Sequence, residues 1–444
     1  MNDIQQRRIH LEKLVHDLLA EAKRQGASAA EAAASQDAGL SVTVRMGEVE
    51  TVEHTRDNGL GISVYFGQRK GSASTSDLSE QAVRDTVQAA CRIARHTQED
   101  DCAGLADAEL MAREIPNLDL YHPWDLSVDQ AIDTARDCEQ AARDRDARID
   151  NSEGATLGTH AGLHVYGNSH GFLAGYPSSR HNLSCAVIGR EGDAMQRDYW
   201  WTSARLAGEL EDAAQVGRHA AERTLGRLGA RKIDTRECPV LFQADVAGSL
   251  LRHLTSAIRG SSLYRESSFL LDQLGQRIFP EFVRIHEQPL LPRAAGSAPF
   301  DNEGVATAPK DLVSDGVLRS YVLDSYSARK LGMNTTGNAG GVRNLTIEPG
   351  KLDRTGLLKE MGTGLLVTEL MGHGINPVTG DYSRGAAGFW VENGEIAYPV
   401  EEITVAGNLK EMYQRLAAVG NDLDTRGNTR TGSLLIEKMT VAGD

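Results

Sequence analysis

Residues 40–66 read LSVTVRMGEVETVEHTRDNGLGISVYF, and this stretch indicates the fold class. Apolar and polar residues alternate in three short runs, as they do in strands with one buried face. The runs are Leu40–Arg45, Glu48–Thr55 and Gly61–Phe66. Met46-Gly47 and Asp57-Asn58-Gly59 separate them, and such residues favour tight turns. The pattern predicts an antiparallel meander.

Four segments around this meander have the apolar spacing of amphipathic helices. They are residues 3–25, Ser79–His96, Ser127–Asp144 and Asp212–Leu228. In the third segment Ser127 stands three residues before Gln130, which is the spacing of a capping box. Between the third and fourth helices, Ile149–Arg205 again has a β pattern. Helices and strands come in blocks without a regular βαβ order, so we expect an α+β fold.

A basic, polar stretch that ends at Pro239 follows the fourth helix. We place a domain boundary near residue 230. This gives an α/β N-terminal domain, 1–230, with a mostly antiparallel sheet, and a β-rich C-terminal domain, 231–444. The second domain is expected to begin with a strand, Val240–Gln243, and a helix, Val246–Ile258. Strands and glycine-rich turns follow, with one late helix, Leu409–Ala418, and a closing strand, Ser433–Val441.

Composition limits the class of protein. The 444 residues carry a net charge of −15, and 40% of them are hydrophobic, which suits a globular protein with real cores. No apolar run reaches the roughly 18–20 residues of a membrane span. The five cysteines are scattered without a CxxC pair, which is typical of a reducing cytoplasm. Acidity disfavours nucleic acid as a direct partner. We therefore expect a cytoplasmic protein that binds neither membrane nor nucleic acid.

Individual motifs do not indicate a catalytic centre. GNSHG (167–171) matches G-x-S-x-G, but the FLAGYP that follows cannot begin a helix, so we interpret the motif as a β-turn. His160 and His164 would lie roughly 13 Å apart on a strand, too far to share one ion. The predicted helix 246–258 has a single histidine, His253, whereas a zincin site needs two on one helical face.

The second half carries longer and more distinctive stretches. They are SYSARKLG (325–332), GNAGG (337–341), KEMGTGLLVTELMGHG (359–374), TGDYSRGAAGFWVENGEI (379–396), YPVEEITVAGNLKEM (398–412) and VGNDLDTR (419–426). VYGNSHG (165–171) adds weaker support from the first half. These stretches resemble the PmbA/TldE branch of the TldD/PmbA metalloprotease family, once called modulators of DNA gyrase. The resemblance covers essentially the whole chain.

The resemblance implies a role in a two-subunit protease. The TldD branch consists of zinc metalloproteases with a helix that bears HExxxH and a cysteine near the C-terminus, and each pairs with a PmbA/TldE chain. The heterodimer accepts unfolded peptides, and it is implicated in maturing peptide-antibiotic precursors and in degrading an antitoxin. We therefore expect a TldD-type partner and unfolded peptide substrates, with a homodimer as a possibility for the isolated chain.

The resemblance places the zinc motif at Arg252–Ala257, which reads RHLTSA. Both histidines and the glutamate of HExxxH are replaced, and no cysteine follows Cys238. Zinc needs deprotonatable ligands. The expectation is a chain without catalytic residues or metal ligands of its own, with zinc in the partner subunit. Whether this chain counts as an enzyme stays open, because it belongs with metalloproteases but lacks their motif.

Glycine-rich turns allow close backbone approach, so residues in and beside them are candidate contacts for a peptide or the partner. The candidates are Asn338, Gly340, Gly341, Thr368, Glu369, Asp381, Ser383 and Arg384. Two alternatives remain. One is a competent metallopeptidase with unorthodox ligands, drawn from His160, His164, His170 or His373. The other is a non-enzymatic regulator of DNA gyrase.

Overall fold

The computed structural model describes residues 2–443. The N-terminal half contains one six-stranded antiparallel sheet with the strand order β3-β2-β1-β4-β5-β6. The strands are β1 (Ala29–Arg45), β2 (Glu48–Phe66), β3 (Arg69–Thr75), β4 (Ile149–Asn168), β5 (Leu173–Glu191) and β6 (Ala194–Ala204). The predicted antiparallel sheet is therefore confirmed.

Four helices cover one face of this sheet. They are α1 (Asn2–Arg24), α2 (Glu80–His96), α3 (Val128–Arg143) and α4 (Ala213–Arg227), and each agrees with a predicted helix. The buried residues of β1 lie at even positions and so point to one face. Ala30, Ala32 and Ala34 pack with α1 and α2. Farther along the same strand, Leu40, Val42 and Val44 pack with α3 and α4.

One predicted turn in the meander is wrong. Residues 46–47 do form a turn, but Asp57-Asn58-Gly59 lies inside β2. These three residues pair in register with Asp37, Gln36 and Ser35 of β1. Pairing along the whole length of β1 outweighs the local preference of Asp, Asn and Gly for turns, because strand propensity depends strongly on context.

The C-terminal half is built around a closed ring of five strands. They are β7 (Arg236–Phe242), β12 (Gly364–Met371), β13 (Asp381–Glu392), β14 (Glu395–Asn408) and β17 (Leu434–Ala442). β14 pairs with both β13 and β17, which closes the ring, and β7 and β12 are parallel. β15 (Leu416–Val419) extends it beyond β17. The α+β fold with a β-rich C-terminal domain is confirmed.

A second C-terminal sheet is made of five very short strands in the order β10-β9-β8-β11-β16. They are β8 (Ile285–Glu287), β9 (Lys310–Ser314), β10 (Val317–Leu318), β11 (Leu345–Ile347) and β16 (Thr429–Arg430). Five helices accompany the two sheets: α5 (Ala244–Ala257), α6 (Gly260–Leu263), α7 (Ser325–Lys330), α8 (Arg354–Met361) and α9 (Leu409–Gln414). No helix within residues 2–443 is long and apolar enough to cross a membrane.

The expectation of a single late helix is wrong. The helix that begins at Leu409 ends at Gln414, and residues 416–419 form β15 instead, because they pair with β17. The helices α7 and α8 were missed. Each begins at an aspartate whose side chain accepts a backbone N–H, Asp324 and Asp353. Helices of six and eight residues are too short to show a clear helical period.

The uncovered face of the N-terminal sheet packs on the C-terminal half. Phe300 lies between Phe172 and Tyr176, with ring centroids 5.3 and 5.4 Å away. The segment 97–127 runs across the C-terminal half, where the Ala112 N–H donates to the Gly304 carbonyl. Asp100 accepts hydrogen bonds from Tyr326 at 2.6 Å and Lys330 at 2.9 Å. The two halves therefore share an apolar contact and a polar one.

A cavity of about 750 Å³ lies beside this polar contact. Glu303 lines it and accepts hydrogen bonds from the Ser325 N–H at 3.0 Å and the Ser325 hydroxyl at 2.6 Å. Burial raises the pKa of Glu303 to about 7, although the bonds from Ser325 work against the rise. The carboxyl group therefore changes charge near neutral pH.

A buried network supports the glycine-rich turn at 337–341. The Asn338 amide donates to both carboxylate oxygens of Glu287, at 3.0 and 2.9 Å. Glu287 is 1% exposed and also accepts the Arg343 N–H and pairs with Lys310. The Asn338 side chain therefore keeps a buried carboxylate satisfied.

Replacing Glu303 with glutamine should flatten part of the pH dependence of stability. A carboxyl group whose folded pKa is raised destabilises the fold as pH rises from the unfolded pKa, near 4.5, through about 7. In Glu303→Gln, the free energy of unfolding should gain up to about 3 kcal/mol over wild type across this interval. Calorimetry at pH 4.5 to 7.5 measures it, with the exposed Glu395→Gln as control. Equal slopes for wild type and Glu303→Gln would contradict this.

Substitutions of Asn338 should act on stability in a defined order. Asn338→Ala removes a donor from buried Glu287 and should cost about 1–3 kcal/mol. Asn338→Asp adds a second carboxylate beside the first and should cost more, because like charges repel in a buried site. Urea unfolding at pH 7 compares the two variants. If both unfold like wild type, Asn338 does not support the fold and a role in direct contact becomes the better explanation.

Candidate functional site

Helix α5 carries the residues that the resemblance aligns with the zinc motif. Its buried side includes Leu250, Leu251 and Leu254, and α5 packs against β12 and the rest of the large C-terminal core. Arg252 and His253 lie on the same helix, within the predicted segment 246–258. The apolar side fixes the helix, and so holds these two side chains near β12 and β13.

His253 is an uncharged, partly buried ring. Its Nε2 atom is buried and has no hydrogen-bond partner. The ring lies edge-on to Tyr382 of β13, with centroids 6.1 Å apart. Burial, together with the charges of Arg384 and Arg252, lowers the pKa of His253 to about 4. The ring is therefore neutral at physiological pH.

Beside this helix lies a cavity of about 230 Å³ that residues of both halves line. We call it the α5 cavity. β6 and α4 contribute from the N-terminal half, and α5, β12 and β13 from the C-terminal half. The charged residues of its lining are Asp198, Arg223, Asp245, Arg252, Glu369 and Arg384. The α5 cavity is thus a polar site between the two halves.

Three predicted contact residues meet in the α5 cavity: Thr368, Glu369 and Arg384. The pairing of β12 with β13 shifts register between Val367 and Glu369. A bulge of this kind re-aims side chains, and both Thr368 and Glu369 reach the cavity. The Thr368 hydroxyl is buried without a hydrogen-bond partner. The structure thus brings these three residues together in one cavity, and their contact with a peptide or partner stays a prediction.

The other predicted contacts lie elsewhere. Asp381 and Ser383 alternate with Tyr382 and Arg384 along β13, so they point away from α5. Asp381 accepts hydrogen bonds from Thr379 and Asn408. Asn338, Gly340 and Gly341 belong to the separate turn described above, in which both glycines have positive φ, +93° and +105°. Contact of these five residues with a peptide or partner stays a prediction.

The sequence analysis missed three charged residues of the lining, Asp198, Arg223 and Asp245, and the neighbouring Arg227, and one network of ion pairs connects them. Arg223 pairs with Asp198 at 3.2 Å and with Asp245 at 2.9 Å. Arg227 pairs with Glu369 at 2.5 Å and with Asp198 at 3.6 Å. Each acid of the lining is thus paired with an arginine of α4. The i, i+4 spacing of Arg223 and Arg227 was the available signal, but it also describes an ordinary solvated helix face.

Arg252 and Arg384 differ from the arginines of α4. Within residues 2–443 neither forms an ion pair with a carboxylate, and Arg384 makes only a long hydrogen bond, 3.4 Å, to the Met371 carbonyl. Burial lowers the pKa of Arg252, and the charge of Arg384 lowers it further. Both guanidinium groups thus line the α5 cavity without a carboxylate partner among the described residues.

This donor set does not fit the zinc ion of the family motif. Zinc sites need three or four neutral or anionic ligands that converge. His253 is the one imidazole at the position of the motif, and the charges of Arg384 and Arg252, which lower its pKa, also repel a cation. Within the described residues, no three His, Cys, Asp or Glu side chains are placed to hold a metal ion.

The remaining histidine candidates are dispersed. His160 pairs with Asp37 at 3.1 Å, and burial lowers the pKa of His164 on the same strand. His170 and His373 lie in loops. GNSHG forms the turn between β4 and β5, as predicted, and the Ser169 hydroxyl accepts the Ala30 N–H at 3.1 Å. Ser169 therefore serves this turn.

Comparison with known proteins identifies relatives along the whole chain. Family models of the PmbA/TldA metallopeptidases match residues 30–94 (domain 1), 121–228 (central domain) and 235–443 (C-terminal domain). The chain is 53% identical to metalloprotease PmbA of Escherichia coli O157:H7, over 96% of this chain and 94% of that protein. It is 52% identical to a metalloprotease PmbA homolog of Haemophilus influenzae, over 95% and 94%.

Solved structures share the fold. A putative modulator of DNA gyrase from Bacteroides thetaiotaomicron superposes with a TM-score of 0.92 at 30% identity, over 97% of this chain and 98% of that one. TldE from Thermococcus kodakarensis gives a TM-score of 0.84 at 21% identity, over 97% and 100%, and so shows the fold alone. Sequence and fold together show that the chain belongs to the TldD/PmbA metallopeptidase family, in its PmbA/TldE branch.

Proposed function

We propose that this chain is the zinc-free subunit of a two-subunit, cytoplasmic zinc metallopeptidase. One observation carries the proposal: at the position of the family's zinc motif, α5 presents Arg252 and a neutral His253, with the charge of Arg384 close enough to lower the pKa of His253. The two guanidinium groups repel a metal ion, and His253 replaces the glutamate that would activate water. A TldD-type companion would supply zinc and its bound water.

In this proposal the chain completes the chamber and holds the substrate. The α5 cavity lies where the N-terminal and C-terminal halves meet, and its polar lining suits the backbone and charged groups of an unfolded peptide. The relatives named PmbA are called metalloproteases, which supports a proteolytic complex. Peptide-antibiotic precursors and unfolded antitoxins are the substrate classes that the family resemblance suggests.

The test is reconstitution with a TldD-type subunit from the same organism. The chain alone should contain well under one zinc ion per chain by elemental mass spectrometry and should not cleave an unfolded peptide such as casein. The purified pair should cleave it, with zinc in stoichiometric amount. One tightly held zinc ion in this chain, with activity on its own, would instead support the competent metallopeptidase. Light scattering on the same samples would show whether the isolated chain is a homodimer.

Histidines outside the α5 cavity should be dispensable in that pair. His160 and His170 lie on β4 and in the turn after it, away from any metal-binding arrangement. His160→Ala and His170→Ala, alone or combined, should leave the peptidase rate and zinc content of the pair unchanged. A loss of zinc from this chain in either variant would favour the unorthodox-ligand alternative. If the chain changed gyrase supercoiling and never assembled with the companion, the regulator would be the better hypothesis.

A further inference from the structure

Two arginines in the lining of the α5 cavity have no carboxylate partner among the residues that the structure describes. Arg252 and Arg384 both line the cavity with no carboxylate in ion-pair contact within residues 2–443. Arg384 is half-buried and Arg252 is exposed, but charged side chains that share a cavity with acids are ordinarily paired. Here the pairing is absent although three acids line the same cavity. Three arginines and three acids line the cavity, but the acids pair with Arg223 and Arg227 of α4. Arg252 and Arg384 therefore have no counterion within ion-pair distance in the described part of the chain.

The neighbouring acids cannot supply the missing counterion. Asp198 and Asp245 are held by Arg223, at 3.2 and 2.9 Å, and Glu369 by Arg227 at 2.5 Å. Moving any of them to Arg252 or Arg384 would break a partly buried pair, which is strongly destabilising. The ion pairs of α4 thus keep the two free arginines available.

An unsatisfied polar group lies in the cavity wall. Six side-chain atoms in the described part of the chain are buried without a hydrogen-bond partner. One of them, Thr368 Oγ1, belongs to the lining of the cavity. Two others, His253 Nε2 and the Tyr382 hydroxyl, lie on α5 and β13, the elements that contribute Arg252 and Arg384 to the lining. Buried polar groups normally have partners, so the Thr368 hydroxyl indicates an absent polar ligand.

We propose that the α5 cavity binds a carboxylate of the peptide substrate between Arg252 and Arg384. The group is a C-terminal carboxylate or the side chain of Asp or Glu, since the two share the same chemistry. Guanidinium groups bind carboxylates with charge-assisted, often bidentate hydrogen bonds. A volume of about 230 Å³ accommodates such a group with its side chain. The peptide as the source of the carboxylate rests on the proposed function, whereas the anion site itself rests on the geometry.

The experiment uses the full chain without a companion and three short peptides. Acetyl-Ala-Ala-Ala with a free carboxylate, its C-terminal amide, and acetyl-Ala-Asp-Ala-amide are titrated by calorimetry at low ionic strength. The acid, the Asp peptide or both should bind at least tenfold more tightly than the neutral amide, and which one does so identifies the source. Equal affinity for all three peptides overturns the proposal. So does binding of inorganic phosphate with none of the peptides.

Variants locate the site. Arg384→Gln and Arg252→Gln should each weaken binding of the preferred peptide about tenfold or more, as expected for a charge-assisted bond. Arg319→Gln is the matched control, because it removes one positive charge from an exposed arginine outside the cavity. If Arg319→Gln weakens binding as much as Arg384→Gln does, the effect is general screening and the site is not in this cavity.

The His253 ring gives a readout that does not depend on affinity. Arg252, Arg384 and Tyr382 are the charged or titratable groups that face it, and the two arginines help to keep its pKa near 4. A carboxylate between them should raise that pKa by about one unit or more. Histidine-labelled protein titrated by NMR with and without peptide measures the shift. No shift at saturating peptide overturns the proposal, while an active pair from the reconstitution would leave the proposed function standing.

Discussion

The ion pairs of Arg223 and Arg227 determine the form of the site. Both arginines lie on α4, in the N-terminal half, whereas Asp245 on α5 and Glu369 on β12 belong to the C-terminal half. Arg227 also donates to the Arg197 carbonyl of the edge strand β6. One helix therefore joins the sheet edge to the two elements that line the α5 cavity. These contacts thus connect the N-terminal wall of the cavity to its C-terminal wall.

These ion pairs fix the positions of their side chains more than they contribute to the free energy of unfolding. Their side chains are largely buried, Arg227 at 10% and Asp198 at 6% exposure, and removing charges from water offsets most of the attraction between them. Leaving one partner behind, however, is strongly unfavourable. The acids are therefore fixed in place, and the balance of charge inside the cavity is left to Arg252 and Arg384. The contact between the two halves thus leaves Arg252 and Arg384 as the charged residues of the cavity without an ion-pair partner within residues 2–443.

Local signals in the sequence were sufficient for elements that depend on local contacts. The capping box of Ser127 and Gln130 forms as expected. The wrong predictions concern segments whose secondary structure depends on pairing with a strand that is distant in sequence. Asp57-Asn58-Gly59 pairs with β1, and residues 416–419 pair with β17. The site follows the same rule. Thr368, Glu369 and Arg384 belong to quoted motifs, but nothing local distinguishes Arg223 and Arg227 from solvated residues, since their partners are on other elements.

The α5 helix shows that the same helix of a fold can present either metal ligands or positively charged side chains. A zinc-binding helix needs donors that attract a cation and no cation nearby. Here the first motif position is an arginine, the second is a histidine kept neutral by burial and by two arginines, and β13 adds another guanidinium. The backbone that would direct ligands to a metal therefore directs positive charge into the same space. In the proposed complex, the companion's zinc would act on the scissile bond while this cavity draws in a carboxylate.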